Sequence, residues 1–137
     1  MSTSEASAKI YFEAAVPQFT VPDVVRTAEY YRDVLGFQIA GYWDSPPVFA
    51  IVWRDKIEVF FSRANQAAEV RTGRATGVYD AFFRIVGVDS LASELRARGA
   101  DILEGPETRV YEQRELVIKD CNGLILCFGE DTSRRTT

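Results

Sequence analysis

The chain has no histidine at all, only two cysteines and a single methionine. Imidazole is the commonest neutral metal ligand and the side chain that most readily moves protons near neutrality, so its absence excludes His-based metal centres and Ser–His or Cys–His nucleophile pairs. Cys121 and Cys127 stand on either side of an Asn122-Gly123 turn and read as free thiols, not as a disulfide framework, which suits a reducing compartment. Long apolar runs are also missing. The longest, residues 48–53 and 124–128, fall far short of the roughly 20 residues that cross a bilayer, and no charged-then-apolar leader opens the chain. Basic charge is in deficit: 16 Lys and Arg face 20 Asp and Glu, for a net charge of −4, which argues against a phosphate-backbone partner. The expectation is a cytoplasmic protein that engages neither membrane nor nucleic acid.

What is present suits one compact core: 137 residues, 47 % of them hydrophobic. Residues 1–8 and 131–137 are small or polar and read as loose tails. Between them, residues 14–21 alternate as a strand, with Pro17, Phe19 and Val21 on one face and Val16, Gln18 and Thr20 on the other. Pro17 has no N–H to donate, so this strand should pair on one side only there or be bulged. Asp23 makes a good N-cap for a helix carrying Val24, Ala28, Tyr31 and Leu35, and Gly36 supplies its left-handed stop. Strands are expected over 37–43, 48–53 and 56–62, and then the long connection 63–77 suits a crossover. After it the grammar restarts. A strand over 79–86 leads to a helix capped by Asp89, carrying Val88, Leu91, Ala92 and Leu95 and ending at Gly99. Strands over 102–104, 114–119 and 124–128 follow, the last two joined by Asn122-Gly123. The pattern predicts an α+β chain of two modules, 9–62 and 78–130, each reading strand, helix, strand, strand, strand.

Two segments carry a family resemblance. Val21-Pro22-Asp23-Val24 through Tyr30-Tyr31-Arg32-Asp33-Val34-Leu35-Gly36-Phe37 looks like a module opening of the vicinal oxygen chelate superfamily, the glyoxalase, bleomycin-resistance and dioxygenase-like proteins. Tyr111-Glu112-Gln113-Arg114-Glu115-Leu116, followed by Asp120-Cys121-Asn122-Gly123, resembles that superfamily's second-module ending, and with Gly105-Pro106 the matches span residues 14–129. The resemblance implies two tandem βαβββ modules forming a cupped mixed sheet, and it is closest to the metal-free bleomycin-resistance-type branch. The superfamily's four metal-ligand positions would fall at Val16, Phe60, Asp80 and Cys127. The first two carry no donor, and a carboxylate with a thiol is a mismatched pair, so no metal or other cofactor is expected. A shift of two residues would bring in Glu58, which shares Phe60's face, and still leave only Glu58, Asp80 and Cys127.

By strand alternation the cup's concave side should carry Val16, Gln18, Thr20, Glu58, Phe60, Asp80, Phe82, Arg84, Ile125 and Cys127. Phe60 and Phe82, with Trp43, Phe49, Trp53 and Tyr111 nearby, would stack on a flat ligand, or else fill core or a subunit interface. Asp80 in an apolar cup needs a partner: it awaits a cationic ligand, stands in water at the rim, or becomes a perturbed acid able to act as general base, and Glu58 shares that ambiguity. Cys127 reads as an inert buried thiol. The resulting expectation is a metal-independent protein of the bleomycin-resistance type that sequesters an aromatic drug or metabolite, the acidic residues favouring a cationic one. The resemblance also implies a homodimer whose clefts draw residues from both chains. The alternatives are a metal-free acid–base enzyme (isomerase, lyase or hydrolase of a small carbonyl compound), an interaction module whose cup is filled by its own side chains, and, last, a metal-dependent glyoxalase or dioxygenase.

Overall fold

A computed structural model describes residues 8–65 and 79–134. Most of the expected crossover and of the two expected tails therefore lies outside the described residues. The first module runs β1 (Gln18–Val21), α1 (Val24–Asp33), β2 (Gln38–Trp43), β3 (Phe49–Arg54) and β4 (Ile57–Arg63). The second repeats the order: β5 (Ala81–Arg84), α2 (Val88–Ala97), β6 (Asp101–Thr108), β7 (Gln113–Lys119) and β8 (Ile125–Asp131). Each module forms its own four-stranded sheet, in the orders β1-β4-β3-β2 and β5-β8-β7-β6. In both, the first strand lies parallel to the last and the other pairs are antiparallel.

Local chemistry sets the boundaries. Asp23 caps α1 by accepting the Arg26 N–H at 3.0 Å, and Gly36 adopts φ 78° where the chain leaves the helix. Pro17 stands just before β1, where its carbonyl accepts the Phe60 N–H at 3.0 Å; β1 is an edge strand, so the missing proline N–H leaves no ladder bond unmade. The second helix begins earlier than expected. Its N-cap is Gly87, and Asp89 lies within the first turn, where its carboxylate binds Arg114 at 2.9 Å instead of capping the helix. The strand expected over 102–104 extends to Thr108, since register shifts after Ile102 and Glu104 hide its alternation. At the C-terminal end β8 continues through Asp131 and a 3-10 turn follows at Thr132–Arg134, within the stretch expected to be loose.

One face of each sheet packs under its helix. Val21, Val52, Val59 and Phe61 are fully buried beneath Ala28 and Tyr31, while Leu116, Ile118 and Leu126 lie beneath Val88 and Leu95, all in one continuous core. Each such side chain contributes about 1.5–3 kcal/mol by leaving water. The modules hold one another through helices and turns. The Tyr31 hydroxyl of α1 donates to Asp120 in the β7–β8 turn at 2.7 Å, and the Asn122 side chain there donates to Thr27 at 3.0 Å. Reciprocally, Glu94 of α2 takes a bidentate pair from Arg54, at the end of β3, at 2.9 Å for each bond. Burial pushes the Asp120 carboxyl up, against the pull of the hydrogen bonds from Tyr31, Asn122 and Leu124.

Candidate functional site

Alternation leaves the other face of each sheet open, and the two open faces differ. In the first module the register Trp43↔Phe49, Ile51↔Phe60 and Trp53↔Glu58 brings a row of large side chains onto one surface. Trp43 meets Phe49 edge-on at 5.8 Å between ring centres, and Phe49 meets Phe60 at 5.5 Å, giving an aromatic chain across three strands. Trp43 lies back over Gly41, where a Cβ would stand 3.4 Å from the indole ring. Phe49, Ile51, Trp53 and Phe60 are partly exposed and Trp43 is 47 % exposed, so this apolar surface is accessible. At its edge the Gln18 side-chain amide donates to the Ser62 hydroxyl at 2.8 Å.

The second module's open face is closed by its own residues. Glu115 is 1 % exposed, and its carboxylate accepts from Arg109 Nε at 3.1 Å, the Tyr111 hydroxyl at 2.9 Å and the Tyr79 hydroxyl at 3.3 Å. Arg109 also pairs with Glu104 at 2.7 Å and Glu107 at 3.2 Å, and these bonds hold the guanidinium firmly protonated. Beneath the cluster Val117 and Cys127 are buried, and the Phe82 ring lies across Gly129, where any Cβ would overlap it. Burial, then the nearby Glu115, push the Cys127 thiol up to about 12, and burial raises Tyr79 to about 12 as well. Such a thiol stays protonated and is no nucleophile at neutral pH.

The expected concave set therefore falls into three places. Gln18, Trp43, Phe49, Trp53, Glu58 and Phe60 share the first face, and Phe82, Tyr111 and Cys127 belong to the second, Glu58 and Phe82 also reaching the groove between the modules. Val16, Glu58, Asp80, Phe82 and Arg84 line a groove of about 540 Å³ between residues 14–17, the start of β4 and β5. Asp80 has its partner in the main chain: its Oδ2 accepts the Ile125 N–H at 2.8 Å, and its own N–H donates to the Ile125 carbonyl at 2.8 Å. Arg84 lies 6.0 Å from the Phe82 ring centre and 3.9 Å from Asp131. Glu115, Arg109 and Tyr79 escaped the sequence reading, although the spacing Gln113, Glu115, Val117 along one strand carried a signal that Glu115 turns away from the core.

The four positions to which the family resemblance would assign metal ligands do not offer a donor set that fits an ion. Val16 and Phe60 offer no donor and Asp80 has one oxygen accepting a backbone N–H, which leaves the buried Cys127 sulfur with a single carboxylate oxygen, too few donors for an ion. Among the described residues no group of three or more Cys, Asp or Glu side chains is placed to hold a metal.

Paired βαβββ modules, each a four-stranded sheet with one helix-covered face and one open face, define the glyoxalase-like scaffold. The chain belongs to the Glyoxalase/Bleomycin resistance protein/Dioxygenase superfamily, whose model matches residues 15–128. Among solved structures it is similar to TioX from Micromonospora sp. ML1, with a TM-score of 0.71 and 17 % identity over 88 % of this chain and 99 % of that one. It is also similar to TnmS3, an antibiotic binding protein from Streptomyces sp. CB03234, with a TM-score of 0.69 and 13 % identity over 90 % of this chain and 99 % of that one. A glyoxalase-related enzyme from Clostridium phytofermentans matches with a TM-score of 0.68 and 18 % identity over 89 % of this chain and 97 % of that one. No functionally curated protein sequence matches the chain. At such identities the likeness carries the fold. In this fold no helix of the described residues is long and apolar enough to cross a membrane.

Proposed function

We propose that this is a metal-independent binding protein of the bleomycin-resistance type, which holds an aromatic drug or metabolite against the open face of the first module. The observation that carries the reading is the accessible aromatic chain Trp43–Phe49–Phe60 with Trp53 beside it. A flat molecule laid on that surface buries ring against ring, each contact adding about 0.5–1.5 kcal/mol beyond area burial. The donor-poor ligand positions support metal independence. A net charge of −4 and the exposed Glu58 at the margin favour a cationic ligand. That TnmS3, on the same fold, is an antibiotic binding protein is in keeping with this. An acid–base enzyme has less to rest on, because Asp80 is engaged by the backbone of β8.

A second copy of the chain completes the site in this reading. All ring pairs and side-chain bonds described on the open faces stay within one module, and the modules are joined through their helices. The first face is therefore half a cleft, to be covered by another subunit in a cytoplasmic homodimer.

Both tryptophans of the chain lie on the proposed face, so the ligand reports itself. Titration of planar, cationic antibiotics should quench tryptophan emission with saturation, and Phe60→Ala should weaken binding at least about tenfold. A panel that gives no saturable quenching at tens of micromolar, or quenching unaffected by Phe60→Ala, would sink the reading.

A further inference from the structure

The junction between the two modules holds an apolar cleft of about 550 Å³ on its helix side, away from both open sheet faces. Its most buried lining is Leu35 and Phe37, where the chain leaves α1, together with Phe128 of β8. Ile57, at the start of β4, borders it from the first module, and Ile85 and Leu91 border it from the second. These last three are only half-buried, and Val86 beside them is 93 % exposed. Helical spacing accounts for much of the second module's share: Gly87, Ser90, Leu91 and Glu94 recur at intervals of three and four, so one stripe of α2 borders the cleft. A concave, mostly apolar space of this size with a few polar groups is within the range of small-molecule sites.

The charges around this cleft run against those of the whole chain. Arg54 and Glu94 face one another as a bidentate pair and cancel. Of the three charged residues that remain in the lining, Lys56 and Arg84 outnumber Asp55, in a protein whose net charge is −4. Lys56 is exposed and makes no ion pair among the described residues. Arg84 meets Asp131 at 3.9 Å, the outer limit of an ion pair, with half of its side chain exposed. Apolar walls with an excess of positive charge beside them complement a molecule that is apolar along its length and anionic at one end. A cation, the class that the aromatic face favours, meets like charge here.

We propose that the helix-side cleft is a second binding site, which takes an amphipathic monocarboxylate of the medium-chain fatty acid kind. The hydrocarbon chain lies against Leu35, Phe37, Ile57 and Leu91, and the carboxylate stands at the Lys56 and Arg84 end. The site draws on both modules, lies apart from the aromatic chain Trp43–Phe49–Phe60, and stands whether or not that face holds a drug.

Calorimetric titration of the full chain tests this, with octanoate, decanoate and decylamine as probes. Decanoate should bind saturably, one per chain, with a dissociation constant below about 1 mM. It should bind about tenfold tighter than octanoate, because each methylene taken out of water changes affinity roughly three- to fourfold. Decylamine, of the same length and opposite charge, should bind at least about tenfold more weakly than decanoate. Ser90→Glu adds a carboxylate to the lining at an exposed position in the first turn of α2, where an acidic side chain favours the helix, so this variant folds. Both it and the double variant Lys56→Gln, Arg84→Gln should weaken decanoate at least about tenfold without weakening decylamine, while Phe60→Ala leaves decanoate binding unchanged. Three results each overturn the proposal: no saturable binding of decanoate, decylamine bound as tightly as decanoate, or binding that survives Ser90→Glu and is lost in Phe60→Ala. The last would put the acid on the aromatic face. Tryptophan quenching by antibiotics is read separately, so failure of the cleft and failure of the drug-binding reading are distinguishable.

Discussion

The two modules share a topology strand for strand and differ in what their open faces do with it. In the first module, three strands present rings and an aliphatic side chain that no side chain among the described residues covers. The second spends the equivalent surface on itself: one buried carboxylate gathers an arginine and two tyrosines and shuts the loop after β6 over Val117 and Cys127. Repeating a fold does not repeat a site. A sheet face becomes a binding surface where its side chains are left unsatisfied, and becomes structure where a polar network closes it.

The contrast can be broken from either side. The largest stability loss should follow Glu115→Leu, which strands Arg109 and two hydroxyls around an apolar side chain. Because Arg109 keeps Glu104 and Glu107, the cost should be about 2–3 kcal/mol, below the usual range for a split buried pair, and it is read from urea denaturation. An unchanged midpoint would mean that the network does not close the second face. Phe60→Ala should cost less, about 1–2 kcal/mol, because its ring is only partly buried, while ligand quenching is lost. A cost near that of a core phenylalanine would show that the ring is packing and not site. The smallest effect belongs to Gly129→Ala. Its new Cβ must displace the Phe82 ring, which at 41 % exposure is free to swing outward, so the penalty should stay within about 1 kcal/mol while Phe82 ring resonances shift in NMR spectra. Resonances that stay put would place the ring elsewhere.

Much of the fold was legible in the sequence because its signals are local. Asp23 and Gly36 mark the ends of the first helical segment, Pro17 announces an edge, and alternation sends Phe60 and Cys127 away from the helices. The site was less legible, since it depends on which strands meet. No local pattern reveals that the β8 backbone engages Asp80, or that Val16 and Asp80 line a groove between the modules and not the aromatic face. Glu115 was hidden for two reasons: its partner Arg109 lies beyond a turn in which Glu112 adopts φ 65°, and the shifts in β6 obscure the register that sets Glu107 opposite it. Asp89 misled because a good capping residue two places into a helix looks the same in sequence as one at its start.

The reciprocal grip between modules, Tyr31 on Asp120 and Glu94 on Arg54, has a topological consequence. Each half carries the hand that the other half is built to hold, and neither contact uses a residue of the segment that links the halves in sequence. Covalent continuity of the two halves raises the local concentration of one around the other. The instruction for how the halves fit resides in their surfaces, which is the condition under which two separate short polypeptides can assemble into one such body.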